Sequence, residues 1–236
     1  MSEVKLDEAR FSYGSGVDLR FDVAVPSGAI SVVTGPSGSG KSTLLALVAG
    51  FEEPQAGRVM IGGRDWTGTD PAERPVTMIF QEHNLFDHLD VASNVALGIA
   101  PRRRVTAADR DAAQASLARV GLAGKGDRLP SALSGGERQR AALARAVLRE
   151  RPVLLLDEPF GALGPALARE MLELVASLAS ERAATVLLVT HQPLAALGVA
   201  THAVFLAEGR VHASGTPDLL TGDDPVVRAY LGGQGA

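Results

Sequence analysis

The order of hydrophobic and polar residues predicts that the chain opens with strands and then a helix. Residues 17–25 alternate between apolar and polar positions, which is the period of a strand with one buried face. Residues 29–34 form a short run rich in β-branched side chains, as is typical of a buried strand. This run ends at Gly35, where a glycine-rich segment begins, and residues 44–49 follow a helical pattern. The sequence therefore predicts a strand, a glycine-rich loop and a helix, in that order.

The rest of the chain divides into two strand-containing parts and a helical middle. Further strands are predicted at residues 58–61, 76–80, 153–156, 185–189 and 202–206, and further helices at residues 165–180 and 193–199. Between these parts, residues 106–120 and 137–148 have amphipathic helical patterns. The pattern predicts an α/β core with a largely parallel sheet, formed by residues 1–87 and 151–236, and an inserted helical subdomain at residues 88–150.

Composition narrows the classes of function that the chain can have. The 236 residues have an ordinary globular composition, with 46% hydrophobic and 21% charged residues. The absence of cysteine excludes disulfides, thiolate catalysis and cysteine-ligated metals. The net charge of −4 argues against non-specific nucleic-acid binding. Neither a signal peptide nor an apolar run long enough to cross a membrane is predicted.

A glycine-rich motif follows the strand predicted at residues 29–34. It reads Gly35-Pro36-Ser37-Gly38-Ser39-Gly40-Lys41-Ser42, with Thr43 next, and it fits the P-loop pattern. Glycines let such a loop wrap tightly, so that consecutive backbone N–H groups point at phosphate oxygens, and the following helix N-terminus adds positive potential. In this pattern the lysine reaches the β- and γ-phosphates and the serine hydroxyl coordinates Mg²⁺. The sequence therefore predicts a nucleotide site at residues 35–43.

Two carboxylates follow the apolar strand predicted at residues 153–156. In P-loop proteins an acid in the position of Asp157 holds Mg²⁺, and the next acid, Glu158, is placed to polarise the attacking water. Two solvated acids at a strand end are the alternative interpretation. A P-loop elsewhere in the same chain favours the catalytic interpretation.

A second candidate phosphate site begins at Ser134. Ser134, Gly135 and Gly136 open a predicted helix, so that a hydroxyl and unobstructed backbone N–H groups lie at a helix N-terminus, where anions bind. Taken alone, an ordinary helix N-cap with a permissive turn is the simpler interpretation.

The order of these motifs resembles that of the nucleotide-binding subunits of ABC transporters over nearly the whole chain. Residues 133–139 are similar to the family's signature, and the P-loop, Gln81, the signature, Asp157-Glu158 and His191 follow in the family's order. The resemblance implies a P-loop NTPase core with a largely parallel sheet, an N-terminal antiparallel β part and an inserted helical subdomain. It also implies a head-to-tail homodimer, in which each of two ATP molecules lies between one subunit's P-loop and the other subunit's signature.

The resemblance also implies roles for three further side chains. Gln81 is expected to contact Mg²⁺ and the attacking water and to sense the membrane partner. His191 is expected to contact the γ-phosphate and to position Glu158, and Tyr13 is expected to stack on adenine. Without the resemblance, Gln81 could equally be a polar loop residue, His191 an incidental histidine at a strand end, and Tyr13 a core or edge tyrosine.

Gly164 departs from the family pattern. The family usually has an aspartate here, which faces the other subunit and helps to couple the two sites. Its replacement by glycine calls the communication between subunits into question. The P-loop, the Mg²⁺ ligands and Glu158 are not affected.

The function that the resemblance implies is ATP hydrolysis that energises a bacterial importer. Residues 74–89 resemble the ATPase subunits of thiamine importers, and importers of iron, polyamines or sulfate are the alternatives within the family. The alternatives from other classes are a soluble ABC ATPase that acts on ribosomes or DNA, and a P-loop small-molecule kinase. Two ATPase cassettes in one chain or a long coiled-coil insertion would favour the soluble ABC ATPase. The second candidate phosphate site, at Ser134, argues against the kinase.

The expected partners are a second copy of the chain and integral-membrane permease subunits. A periplasmic solute-binding protein is an indirect partner, and no nucleic acid is expected. The chain is expected on the cytoplasmic face of the inner membrane as a peripheral subunit, without a C-terminal regulatory domain. Leu85 and Phe86 are expected to be exposed apolar contacts for the permease.

Overall fold

The structure of the chain is a computed structural model that describes residues 2–14, 18–80, 85–101, 104–161 and 163–232. Within these ranges the strands are β1 (Val4–Ser12), β2 (Asp18–Val25), β3 (Ile30–Thr34), β4 (Ala56–Ile61), β5 (Arg64–Asp65), β6 (Val76–Ile79), β7 (Val153–Asp157), β8 (Thr185–Val189), β9 (His202–Ala207) and β10 (Arg210–Gly215). The α-helices are α1 (Lys41–Ala49), α2 (Val91–Ala96), α3 (Ala107–Arg119), α4 (Gly135–Leu148), α5 (Pro165–Arg182), α6 (Pro193–Ala196) and α7 (Pro225–Gly232).

The described strands form one sheet in the order β5-β4-β1-β2-β10-β9-β3-β8-β7-β6. Strands β9, β3, β8, β7 and β6 pair in parallel, whereas β1, β2, β4 and β5 pair antiparallel at the other side. The predicted parallel core and antiparallel N-terminal part are therefore confirmed. Because parallel strands end at the same edge of a sheet, the segments after β3, β6, β7 and β8 all begin at that edge.

Apolar side chains cover both faces of the sheet. On one face α1 packs Leu44 and Leu45 against the N-terminal strands, which contribute Phe21. On the other face α5 packs Met171 and Val175 against strands β3, β8 and β9. Helix α1 is buried along most of its length, so its N-terminus is held at one position relative to the strand ends.

Helices α2, α3 and α4 pack mainly against one another. Their shared cluster includes Val95, Leu117 and Ala141, and the described residues from 85 to 148 contain no strand. Leu85 is partly buried against this cluster, whereas the Phe86 side chain is 50% exposed. The expectation of an exposed apolar residue is therefore confirmed for Phe86, whereas Leu85 is only partly exposed because it packs against the helical cluster.

Element boundaries differ from the sequence-based predictions by a few residues. Helix α1 begins at Lys41, directly after the left-handed Gly40, rather than at residue 44. Helix α6 ends at Ala196 rather than at residue 199. Gly164 is the N-cap of α5 and Pro165 occupies its first position, as expected for a residue that lacks a backbone N–H. Among the described residues, the helices are too short or too polar for any of them to span a bilayer.

Candidate nucleotide-binding site

The loop between β3 and α1 has a conformation that requires glycine at two positions. Gly35 has a φ of 143°, and a Cβ there would lie 2.0 Å from the carbonyl oxygen of Leu206. Gly40 has a φ of 97°, and a Cβ there would lie 3.0 Å from the ring of Phe21. A side chain at either position would displace the loop from the strands behind it, so the two glycines let the backbone wrap close to the sheet.

Lys41 holds its ammonium group inside this loop. Its Nζ donates hydrogen bonds to the carbonyl oxygens of Gly35 and Pro36, both at 2.8 Å. Burial lowers the pKa of Lys41, and the nearby carboxylates of Glu158 and Asp157 oppose that shift. A cation is thus held at the centre of the loop, where backbone N–H groups of a P-loop also converge.

Ser42 and Asp157 bring a hydroxyl and a carboxylate together across 115 residues of sequence. The Ser42 Oγ donates a hydrogen bond of 3.2 Å to Asp157 Oδ1. Burial raises the pKa of Asp157, while the Ser42 hydrogen bond and the Lys41 charge lower it. Both oxygens are hard ligands of the type that Mg²⁺ prefers. Within the described ranges no three acidic or histidine side chains cluster as a metal site.

Glu158 and His191 form a second pair at the same edge of the sheet. Glu158 Oε1 lies 2.6 Å from His191 Nε2. The backbone of Glu158 has a φ of 48°, in the left-handed region, and its N–H donates to the Val189 carbonyl at 3.1 Å. This turn ties the end of β7 to the end of β8 and brings the Glu158 side chain to His191.

An open cleft of about 360 Å³ lies beside the loop. It is lined by Tyr13, Leu19, Ser37, Gly38, Gly40, Lys41, Ser42, Thr43, Glu158 and His191. The Tyr13 side chain is 60% exposed, shares a hydrogen bond of 3.2 Å with Thr43 and packs edge-on against Phe11 at 4.7 Å. An aromatic ring fixed on one edge with a free face is suited to stacking on a nucleotide base.

The signature residues lie outside that cleft. Ser134 is the N-cap of α4: its Oγ accepts the Glu137 N–H at 3.3 Å, and its own N–H donates to Glu137 Oε2 at 2.8 Å. A Cβ at Gly136 would lie 2.8 Å from the Leu167 side chain on α5, whereas Gly135 faces open space. Ser134 and Gly135 are exposed, so this helix end is accessible to another molecule.

The structure thus assembles most of the predicted site residues in two places. Tyr13, the P-loop, Asp157, Glu158 and His191 meet at one edge of the sheet, and Ser134 lies elsewhere with its two glycines. Gln81 lies outside the described residues. Strand β6 ends at Ile79, so the chain leaves the sheet at this edge shortly before Gln81.

Arg74 is a supporting residue that no motif in the sequence indicates. Its side chain is 1% exposed, and Nη1 donates to the carbonyls of Leu47 and Val48 at 2.7 and 3.1 Å. These carbonyls lie in the last turn of α1, so Arg74 caps the helix that begins at the P-loop. Its Nε donates to the Thr69 carbonyl at 3.0 Å. The only sequence signal is that the last turn of α1 contains no basic residue of its own.

The fold and the cleft define a P-loop nucleotide-binding protein. A glycine loop joins a buried parallel strand to a helix, and a hydroxyl–carboxylate pair and a Glu–His pair lie beside it. The sequence profile of the family described as ABC transporter matches residues 19–161. The chain belongs to the ABC transporter family, as the order of its motifs predicts.

Relatives with known names cover almost the whole chain. It is 56% identical to the thiamine import ATP-binding protein ThiQ of Mesorhizobium japonicum, over 97% of this chain and 91% of that protein. It is 52% identical to the protein of the same name from Brucella suis, over 98% of this chain and 96% of that protein.

Solved structures confirm the fold. CbiO1 of Clostridium perfringens, part of the ABC transporter complex CbiONQ, superposes with a TM-score of 0.84 at 25% identity, over 96% of this chain and 93% of that one. A dimeric ATP-binding cassette in a post-hydrolysis state, bound to ADP and Pi, superposes with a TM-score of 0.78 at 28% identity. The match covers 92% of this chain and 99% of that one.

Proposed function

We propose that this chain is the ATP-hydrolysing subunit of a bacterial ABC importer whose cargo is thiamine. The cargo rests on the relatives, which carry the name thiamine import ATP-binding protein and are more than 50% identical over nearly the whole chain. ATP hydrolysis rests on the arrangement of the cleft. The observation that carries it is the Glu158–His191 pair at 2.6 Å, at the edge of a cleft that also contains the P-loop lysine.

Binding of the triphosphate is assigned to the P-loop. Lys41 exchanges its bonds to two loop carbonyls for the β- and γ-phosphates, while residues 35–40 supply backbone N–H groups. Ser42 and Asp157, together with Gln81, would hold Mg²⁺, and the ion would neutralise phosphate charge when bound. Tyr13 stacks on the adenine ring from the rim of the cleft, anchored by Thr43.

Hydrolysis is assigned to Glu158. Its carboxylate accepts the proton of the water that attacks the γ-phosphate. His191 holds that carboxylate in position and presents its ring to the γ-phosphate at the same time. Glu158 and His191 follow adjacent parallel strands, and the Glu158 N–H donates to the Val189 carbonyl, so both side chains are held at the same edge of the sheet.

A complete catalytic site requires a second copy of the chain. The exposed N-terminus of α4 offers Ser134 and two glycines to an anion, yet it does not line the chain's own cleft. We infer that two copies associate head to tail, so that each ATP lies between one P-loop and the partner's signature. The related cassette solved as a dimer with ADP and Pi supports the association of two copies.

The surface for the membrane subunits lies between β6 and the helices. A groove of about 190 Å³ is lined there by side chains that include Met78, Phe86, Leu97 and Arg149. The exposed ring of Phe86 and the nearby position of Gln81 in the chain favour this groove as the contact for the permease. The chain is then peripheral on the cytoplasmic face, and a periplasmic solute-binding protein acts only through the permease.

The test of the catalytic assignment is the variant Glu158→Gln. An amide cannot take up the proton, so ATP hydrolysis falls by at least about a hundredfold while ATP binding is retained. With hydrolysis blocked, ATP converts the chain into a dimer that light scattering detects as a doubled mass. Glu173→Gln, an exposed acid on α5, is the matched control and hydrolyses ATP at the parental rate. Parental hydrolysis by Glu158→Gln would refute the assignment.

The cargo is tested in cells that lack their own thiamine synthesis. Deleting the gene for this chain abolishes growth on low thiamine, and plasmid copies of the parent but not of Glu158→Gln restore it. Uptake of labelled iron, sulfate and spermidine by the same cells stays unchanged. Loss of one of those uptakes, with thiamine uptake intact, would reassign the cargo.

A further inference from the structure

An ion pair links Lys125 to Glu137 of the signature. The Lys125 ammonium contacts Glu137 Oε1, and the other oxygen of the same carboxylate accepts the Ser134 N–H at 2.8 Å. The two side chains are only 29% and 25% exposed. Glu137 therefore joins Lys125 to the residue proposed to receive the partner's phosphate.

The loop that carries Lys125 is attached to the neighbouring helix. The carbonyls of Gly126 and Arg128 accept the N–H groups of Ala92 and Val91, both at 2.8 Å, in the first turn of α2. These bonds satisfy N–H groups that a helix start leaves free. Lys125 thus projects from a fixed backbone rather than from a free loop, and its ammonium has a defined position at the start of α4.

Glu137 introduces a negative charge where an anion is expected to bind. The Lys125 contact, followed by the Ser134 backbone bond, lowers the pKa of Glu137 to about 2, so the carboxylate stays ionised at neutral pH. A carboxylate at a helix N-terminus stabilises the helix by itself, but it repels phosphate that approaches the same turn. The signature can accept phosphate only if this charge is compensated.

We propose that Lys125 is a positioning residue of the composite ATP site, which compensates the charge of Glu137 and keeps its carboxylate in the capping box of α4. The N-terminus of α4 can then bind the γ-phosphate of the ATP held by the second copy. The proposal rests on the head-to-tail dimer of the proposed function. It adds a residue that touches neither the nucleotide nor the reacting atoms.

Removing the ammonium leaves one uncompensated negative charge close to the triphosphate. For charges near a protein surface, this repulsion raises the ATP concentration needed for half-maximal dimerisation by about five- to tenfold. Binding of ATP to a single chain does not change, because the signature does not line that chain's own cleft. Lowering the salt concentration enlarges the difference between variant and parent in the ATP concentration needed for dimerisation.

The experiment compares variants in the Glu158→Gln background, where ATP traps the dimer. The variants are Lys125→Met, Lys125→Arg, Glu137→Gln and the double variant Lys125→Met/Glu137→Gln. Lys5→Met is the matched control, because Lys5 also pairs with an acid, Asp7, but on β1. Light scattering gives the ATP concentration at half-maximal dimerisation, and a fluorescent ATP analogue at low protein concentration gives the affinity of the single chain.

The expected result is a higher ATP concentration at half-maximal dimerisation for Lys125→Met alone. Lys125→Arg and Lys5→Met stay close to the parent. Glu137→Gln dimerises at a lower ATP concentration, because its unpaired Lys125 ammonium attracts phosphate, and the double variant recovers the parental value because glutamine keeps the capping box without the charge. If Lys125 only supported the fold, Lys125→Met would lower the thermal midpoint, and Glu137→Gln would not restore dimerisation. That outcome overturns the role of Lys125 but not the head-to-tail dimer, and so does a Lys125→Met variant that dimerises at the parental ATP concentration. If the Glu158→Gln parent forms no dimer with ATP, both the role of Lys125 and the head-to-tail dimer are overturned.

Discussion

Replacing Arg74 by methionine tests how the P-loop helix is held. Methionine keeps most of the aliphatic volume in a position that is 1% exposed and removes the guanidinium. Three hydrogen bonds are lost, to the carbonyls of Leu47, Val48 and Thr69. Two of these carbonyls belong to the last turn of α1, whose first residues are Lys41 and Ser42.

The expected loss of stability follows from the carbonyls that are left without a donor. A buried polar group that loses its partner costs about 1–3 kcal/mol, and here the carbonyls of Val48 and Thr69 are affected, whereas the Leu47 carbonyl still accepts the Gly50 N–H at 3.3 Å. Burial lowers the pKa of Arg74, because it disfavours the charged guanidinium. The substitution removes this buried charge and so recovers part of the lost stability. We expect a net destabilisation of about 2–4 kcal/mol. For a chain of this size, this corresponds to a fall in the thermal midpoint of about 5–15 °C.

The assay is thermal unfolding followed by circular dichroism, with and without ATP. Arg58→Met is the control, since Arg58 pairs with Asp7 on an exposed surface and such pairs contribute only about 0–1 kcal/mol. ATP should raise the midpoint of Arg74→Met by less than it raises that of the parent, because the start of α1 binds the phosphates. A midpoint for Arg74→Met within about 2 °C of the parent would refute the reasoning that these bonds anchor α1.

Three further substitutions probe the nucleotide site and its coupling. Ser134→Arg should abolish ATP hydrolysis but spare ATP binding to the single chain, because the side chain fills the anion site offered to the partner. Tyr13→Ala should weaken ATP binding about tenfold through the loss of stacking, measured by calorimetry. Gly164→Asp should add a side-chain cap to α5 and stabilise the fold by about a few tenths of a kcal/mol. It should also steepen the dependence of hydrolysis on ATP concentration.

Each of these substitutions has its own control. Mixing Ser134→Arg with Lys41→Ala leaves one intact composite site, so no recovery of activity would argue against the head-to-tail dimer. Tyr13→Phe loses only the hydroxyl bond to Thr43, and an affinity as low as that of Tyr13→Ala would argue against stacking. If Gly164→Asp raises the thermal midpoint but leaves the ATP dependence unchanged, Gly164 is a variation in helix capping only.

The sequence by itself determined the elements whose signals are local. The P-loop is a contiguous motif between a buried strand and a helix, and β2 has alternating burial along its whole described length. The acids at the end of β7 are likewise read from neighbouring residues. Local patterns suffice here because strand faces, helix starts and tight loops depend on side chains within a few positions of one another.

The tertiary structure alone decided which distant residues meet. The strand order β3-β8-β7 places Asp157 beside Ser42 and Glu158 beside His191, and no pattern within either segment determines that order. The buried cap formed by Arg74 and the pair formed by Lys125 and Glu137 are likewise absent from any local signal. The physical reason is that such contacts arise from the packing of whole elements, whose strand order and crossings are set by the shared core and not by the residues that finally touch.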